Sequence, residues 1–429
     1  MFKNKKNYLI PVIGFALIIL IGGLLLYIPG VNLKNISFKD ALFVSVASVT
    51  TTGSSTMPII EQFNFGGQLI IATLMELGAM GFIIFVSFFW TMKNRKMKIS
   101  DMLVINTSIS SDNYSSIKEY SFFIVKMMAQ VQLVGIILLA FKFIPIMGFG
   151  KGIWFSIFHT ISAFSNTGFD LFGKNSLRIF ANDNYVQLII SILMILGSFG
   201  ILALLDLKNN KFKKFKKLRL QTKIILIYSF ILIVVPTILL KIMEPQLSLM
   251  NSFFMSSTTR STGFSVVDVA SLKIESKILL MILMFIGGSP TSTSGGVKLV
   301  AIAVIISTMI STIKGENETI MFWRKIPNSV IKKSFTLFML FLLVLALTNI
   351  VFIHYNNIGV FNIWYESISV MSNTGLYLND YSQLNVVGES ILMFLMYIGK
   401  VGPMSMILLF IFGDKKDDCI SYPEENLMI

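Results

Sequence analysis

The sequence predicts an all-α integral membrane protein made of four membrane helix–re-entrant loop–membrane helix repeats in a pseudo-fourfold arrangement. Three observations predict it: too little charge for a water-facing surface, a series of long apolar runs, and a Ser/Thr-rich segment that recurs four times between them. Charged residues are 14% of the 429 and hydrophobic ones 54%, with a mean hydropathy of +0.76. About a quarter of a soluble domain is charged, so much of this chain's surface must face lipid.

Crossing a bilayer takes about 20 apolar residues as helix. Runs of that kind lie near 8–29, 67–92, 121–146, 185–206, 222–243, 276–313, 333–354 and 389–412. The first has no small-residue cleavage site and reads as a retained helix. The net charge of +14 is not a nucleic-acid footprint, because the basic residues fill the gaps between runs and do not line one amphipathic face. Lys3, Lys5 and Lys6 precede the first run, and Lys93, Arg95, Lys96 and Lys98 follow the second. A dense group runs from Lys208 to Lys223, and Lys314, Arg324, Lys325, Lys332 and Lys333 form the last. The positive-inside rule places these clusters and both termini in the cytoplasm, in a multi-pass protein of the cell membrane. A lone Cys419 and two histidines, His159 and His354, exclude a disulfide framework and a Cys- or His-rich metal centre. No carboxylate pair recurs that would serve a membrane enzyme, and no Arg-rich helix would sense voltage.

Between the runs stand ALFVSVASVTTTGS (41–54), SIFHTISAFSNTGF (156–169), SFFMSSTTRSTGF (252–264) and WYESISVMSNTGL (364–376). None is long enough to cross. Their glycines, Gly53, Gly168, Gly263 and Gly375, follow one another after 115, 95 and 112 residues. Such self-similarity marks an internal repeat. The units are 1–92, 93–206, 207–313 with a broken second helix, and 314–413, followed by a cytoplasmic tail, 414–429. Each unit crosses twice, so every junction lies inside and every loop dips from outside.

Re-entrant backbone is tolerated at membrane depth only where it lines a cavity or is buried in protein, so four such loops imply one central pore. Rings of backbone carbonyls can replace a cation's hydration shell. Glycine allows the positive φ that aims carbonyls inward, and a short helix ending before the loop points its negative end at the ion. The candidate filter residues are Thr51, Thr52, Gly53 and Ser54; Asn166, Thr167, Gly168 and Phe169; Ser261, Thr262, Gly263 and Phe264; and Asn373, Thr374, Gly375 and Leu376. One such segment alone would read as an ordinary turn.

These four segments, with MFIGGSPTSTSGGVKL (284–299) and YIGKVGP (397–403), resemble the Trk/Ktr/HKT superfamily of K⁺ transporters over essentially the whole chain, and most of all the membrane subunit of bacterial Ktr systems. The resemblance implies potassium uptake by an ion-conducting subunit that binds K⁺ at the filter and carries no cofactor. It also implies a homodimer, and a separate RCK-type ring of nucleotide-binding regulatory subunits of the KtrA/TrkA kind. In that superfamily a glycine at the place of Gly53 accompanies K⁺ selectivity. Two departures stand out: Ser54 replaces a larger apolar residue, and the third segment lacks the Asn-Thr-Gly of the second and fourth. A Na⁺-conducting or Na⁺-coupled transporter of the same fold stays open. A secondary transporter of larger solutes would instead show inverted repeats.

The run 276–313 is interrupted at Gly287, Gly288, Ser289, Pro290, Thr291, Ser292, Thr293, Ser294, Gly295 and Gly296. A proline and four glycines oppose helix. The resemblance implies an intramembrane gating loop; the alternative is a kink that only packs. Lys400 lies mid-run between Gly399 and Gly402-Pro403. At that depth a charge usually faces a cavity, and the resemblance implies an electrostatic obstacle to cations. The alternative is a lysine snorkelling to the interface. Asp170, Asp268 and Asp380 follow three filters, as cation attractors or as solvated loop charges. Glu76 and Gln132 read as helix packing, and Asp206 as a helix end.

Overall fold

The computed structural model describes residues 6–81, 117–210, 215–290, 292–356, 358–378, 381 and 384–402. Long helices alternate with short ones. The first unit comprises α1 (Lys6–Tyr27), short α2 (Phe38–Val49), the single turn α3 (Ile59–Gln62) and α4 (Phe65–Met80). The next comprises α5 (Ile117–Met147), short α6 (Phe149–Phe164), α7 (Asn184–Ser198) and α8 (Ile201–Asn209). Then come α9 (Leu220–Met243), short α10 (Leu249–Thr258), α11 (Ile274–Ile286) and α12 (Leu299–Ile313). The last comprises α13 (Asn328–Tyr355), short α14 (Val360–Met371) and α15 (Val386–Val401). A two-stranded hairpin, β1 (Ile320–Met321) and β2 (Arg324–Lys325), joins α12 to α13.

Phe122–Met147, Leu220–Met243 and Asn328–Tyr355 are long and apolar enough to cross a membrane. A helix satisfies its own backbone groups, as lipid requires. Large apolar side chains such as Leu17 and Leu24 on α1, Phe230 and Ile242 on α9, and Leu347 and Ile350 on α13 point outward. Water would penalise so extensive an apolar surface, whereas hydrocarbon accepts it. The short helices are buried by contrast: every α14 residue from Tyr365 to Met371 is buried. Ser37 and Ser248 cap α2 and α10 by accepting from the N–H groups of Asp40 and Asn251, at 3.1 and 3.0 Å.

The run 185–206, expected as one crossing, is two helices bent by 93°. The break falls at Gly200 (φ 86°, ψ 127°), and α4 and α15 end in the same conformation at Gly81 (73°, 140°) and Gly402 (90°, 132°). Lys298 adopts it too (82°, 127°), where α12 begins after the interruption. The second helix is thus interrupted in the second and third units, the third adding a loop before the break, and in the first and fourth it ends at a glycine of the same conformation. The sequence signal is a G-x-x-G at 78–81, 197–200 and 399–402. The second glycine of each pair supplies positive φ. The first permits contact: a Cβ at Gly78, Gly197 or Gly399 would overlap the carbonyl oxygen of Val49, Phe164 or Met371, the last residue of the neighbouring short helix. The tail 414–429, most of the polar stretch 93–120 and the end of the run 389–412 lie outside the described residues.

Candidate functional site

The four Thr-Gly segments share one backbone conformation. The residue two before the glycine has positive φ at Thr51 (56°), Asn166 (55°), Ser261 (78°) and Asn373 (52°), and the glycines follow at 72°, 84°, 88° and 81°. Positive φ at alternate residues turns successive carbonyls to one side. For β-branched Thr51 this conformation is strained. The intervening N–H groups fold back onto the short helices: Thr52 donates to Ala47 O at 2.8 Å, Thr167 to Ser162 O at 2.9 Å, Thr262 to Thr258 O at 3.0 Å and Thr374 to Ser369 O at 2.8 Å. Among the described residues, no group donates to the carbonyls of Thr52, Thr167, Thr262 and Thr374. Those oxygens are available to a ligand.

The segments touch in a closed cycle. A Cβ on Gly53 would overlap the Thr167 carbonyl oxygen, one on Gly168 that of Thr262, one on Gly263 that of Thr374, and one on Gly375 that of Thr52. Glycine is required here twice over, for its φ and for the approach of the next backbone.

Side chains divide the four into pairs. In the second segment the Asn166 amide lies 2.8 Å from Thr262 Oγ1 of the third segment and 2.8 Å from Thr293 Oγ1. In the fourth, Asn373 Nδ2 donates to Thr52 Oγ1 of the first segment and to Met396 O, both at 2.9 Å. The corresponding hydroxyls in the first and third segments touch the interruption loop, and Ser261 Oγ also donates to Ser372 O and Asn373 O of the fourth segment, at 2.7 and 2.9 Å. Thr51 Oγ1 lies 3.2 Å from Thr293 O, and Ser261 Oγ accepts from Gly295 N–H at 2.8 Å. Thr50, Ser165 and Ser372 pair with the threonine hydroxyls two residues on, whereas their counterpart in the third segment is buried Arg260, whose Nη2 donates to Ser229 Oγ at 2.9 Å.

The interruption loop folds back beneath these segments. Gly287 and Gly296 meet at its neck, both with positive φ, and a Cβ on Gly288 would collide with Ser294. Ser292 Oγ donates to Ser289 O at 2.6 Å. Ser289 N–H donates to Ser198 O, Thr293 Oγ1 to Gly197 O and Ser294 Oγ to Arg260 O, each at 3.2 Å. Thr291 lies outside the described residues. Lys400 Nζ reaches inward to Thr51 Oγ1 and Thr293 O, each at 2.8 Å. A second lysine, Lys298, donates to Ser294 O. Sequence reasoning passed over Lys298, although a lone lysine ending a Gly/Ser-rich break inside an apolar run was visible.

On the other side of the cycle a cavity of about 380 Å³ is lined by the four glycines together with Asp170, Arg178 and Tyr381. Asp170 accepts from Phe172 N–H at 2.8 Å and Ser176 Oγ at 2.7 Å, and burial pushes its carboxyl up to about 6. Asp268 is paired with Arg178 at 3.0 Å, and Asp380 lies outside the described residues. Glu76 accepts from Gln132 and ties α4 to α5, and Asp206 caps the turn at Asn210 and Arg219. Both lie away from the cycle of glycines in the hydrogen-bond network. Among the described residues no group of three His, Cys, Asp or Glu could hold a metal ion.

Residues 5–420 match the family TrkH, described as cation transport protein. The chain is similar to the potassium/sodium uptake protein NtpJ of Enterococcus hirae, at 32% identity over 100% of this chain and 99% of the relative. It is also similar to the Ktr system potassium uptake protein B of Bacillus subtilis, at 29% identity over 96% and 94%. Its fold matches the crystal structure of the potassium transporter TrkH from Vibrio parahaemolyticus with a TM-score of 0.79 at 18% identity, covering 95% of this chain and 85% of that one. With transmembrane-length apolar helices and a family match across nearly its whole length, this multi-pass membrane protein belongs to the TrkH family of cation transport proteins.

Proposed function

We propose that the chain is the ion-conducting subunit of a potassium uptake system, with four pseudo-fourfold repeats around one pore and a filter built from Thr51–Ser54, Asn166–Phe169, Ser261–Phe264 and Asn373–Leu376. The observation that carries this reading is the closed cycle of four glycines, each against the next segment's free carbonyl. Oxygens so arranged can replace the water of a K⁺ ion without a fixed negative charge. Helices α2, α6, α10 and α14 end at the cycle and add the negative ends of their dipoles. Below it, residues 287–296 obstruct the path, and Lys400 adds a charge that opposes cations. Both are parts of a gate in this reading.

The basic junctions support cytoplasmic termini. A homodimer served by a separate nucleotide-binding ring is part of this proposal, and the Bacillus subtilis relative's name, a Ktr system protein, supports an uptake system of which this chain is one component. The name of the Enterococcus hirae relative, a potassium/sodium uptake protein, favours a second reading in which Na⁺ also passes. Flux of K⁺, Rb⁺, Na⁺ and Li⁺ into liposomes holding the full chain decides between them. K⁺ and Rb⁺ well ahead of Na⁺ and Li⁺ is expected; equal K⁺ and Na⁺ flux supports the second reading, and no flux of any cation would refute both.

A further inference from the structure

Behind the second and fourth filters stands a feature that the first and third lack. His159 and Glu366 each lie nine residues before the filter glycine, on buried turns of α6 and α14. Each accepts a hydrogen bond from the backbone N–H three residues after that glycine. Leu171 N–H donates to His159 Nε2 at 3.2 Å, and Leu378 N–H donates to Glu366 Oε1 at 2.7 Å. His159 Nδ1 lies 2.7 Å from Phe155 O, to which it donates, and this fixes the neutral tautomer whose Nε2 accepts. Glu366 also accepts from Tyr381 O–H at 2.7 Å. One residue is an imidazole and the other a carboxylate, yet the register and the bond are the same.

The equivalent positions in the first and third units are Val44 and Phe254, both fully buried and unable to accept. There the outgoing chain closes on itself instead. Ser55 Oγ donates to Met57 O at 2.6 Å, and Ser265 Oγ donates to Val267 O at 2.5 Å. Among the described residues the N–H groups of Thr56 and Val266, equivalent to those of Leu171 and Leu378, find no acceptor.

We infer that His159 and Glu366 are positioning residues for ion selection: a pair of struts that fix the outer ends of filters two and four against their short helices. The inference rests on the function proposed above. A carbonyl cage discriminates between cations only while its oxygens keep their spacing, and fractions of an ångström matter. The two strutted filters are also those whose asparagines reach across to Thr262 and Thr52. Rigidity imposed on two filters is thereby passed to the other two.

The test uses the full chain in liposomes. Glu366→Val and His159→Val install the apolar residue that the first unit carries, and Glu366→Gln keeps an acceptor of the same shape. The K⁺/Na⁺ flux ratio should fall about tenfold in the valine variants, the scale set by one buried hydrogen bond, and return in Glu366→Gln. A purely structural role would lower the amount of inserted protein without moving that ratio. A Glu366→Val protein that inserts normally and keeps the wild-type ratio overturns the inference. Residue-resolved amide exchange on the wild type needs no variant. Leu171 and Leu378 should exchange at least about tenfold more slowly than Thr56 and Val266, and equal rates overturn the struts. A wild-type chain that moves K⁺ and Na⁺ alike would instead refute the potassium-selective reading, and the selectivity role with it.

Discussion

In the second and fourth Thr-Gly segments the residue two before the glycine is asparagine, and its amide crosses to the threonine of the next segment; in the first and third the same place holds Thr51 and Ser261, whose hydroxyls reach the loop below. Asn373 makes lateral links and Thr51 a vertical one to residue 293, whereas Asn166 and Ser261 make both: Asn166 also lies 2.8 Å from Thr293 Oγ1 of the loop, and Ser261 Oγ also donates to Ser372 O and Asn373 O of the fourth segment. Among the described residues, the third unit is the one that places such a loop beneath the segments. A loop from one quadrant cannot meet four identical partners, so the side chains around it differ from unit to unit. Symmetry is kept in the backbone, where the φ pattern is the same in all four, and surrendered in the side chains.

The largest predicted effects fall where the pairs do not differ. Gly53→Ser and Gly168→Ser each place a Cβ on a neighbouring carbonyl at a positive φ, so each should lower the K⁺/Na⁺ flux ratio at least about tenfold, more than loss of one buried hydrogen bond would. Liposome flux with matched protein measures both. If Gly168→Ser kept wild-type selectivity while Gly53→Ser lost it, the backbone equivalence of the pairs would be broken.

The lateral and vertical links should separate selectivity from rate. Lys400→Ala removes a charge from the proposed path and the bonds to Thr51 and Thr293. Two unit charges about 6 Å apart at an effective dielectric near 20 repel by roughly 3 kcal/mol, an upper bound of about a hundredfold on rate. The variant should therefore conduct faster with a nearly unchanged K⁺/Na⁺ ratio, and Lys400→Arg should stay slow. Asn373→Ala, which cuts a lateral link, should do the reverse: lower the ratio several-fold with little gain in rate. A Lys400→Ala protein that inserts correctly and conducts more slowly would make the lysine a structural brace.

How much of this was legible in the sequence follows the same division. The helices, the four short segments and their glycines could be read because each obeys a local rule: apolar length, Thr-Gly at recurring spacing, basic gaps. The glycines at which helices end or break, Gly81, Gly200 and Gly402, were spelled out as G-x-x-G but passed over, since the apolar pattern continues through them. Lys298 is visible at the end of the loop but reads there as an ordinary flank. The struts could not be foreseen, because histidine and glutamate share no pattern. Only the fold shows the bond they share, Leu171 N–H on His159 and Leu378 N–H on Glu366.

The smallest predicted effect is confined to one filter. Two residues after the glycine stand Ser55, Asp170, Ser265 and Tyr377, so only the second position carries a group that titrates near neutrality. The Asp170 carboxyl lines the outer cavity and is pushed up to about 6 by burial, although Phe172 N–H and Ser176 O–H both favour its ionised form. A raised carboxyl pKa means that the negative charge is present above about pH 6 and lost below it. Acidifying the outer solution from about pH 7.5 to 5 should therefore remove one attraction for cations at the mouth and slow uptake. A unit charge about 4 Å from an ion in water is worth about 1 kcal/mol, which limits the change to about fivefold. Asp170→Asn should start from the slower rate and stay there across the range, with its K⁺/Na⁺ ratio intact because the filter oxygens are untouched. Initial rates in liposomes, with only the outer pH varied, measure this. An Asp170→Asn protein that keeps the full acid response would move the sensor away from the second filter, and one that loses selectivity would show that Asp170 braces its filter as His159 does.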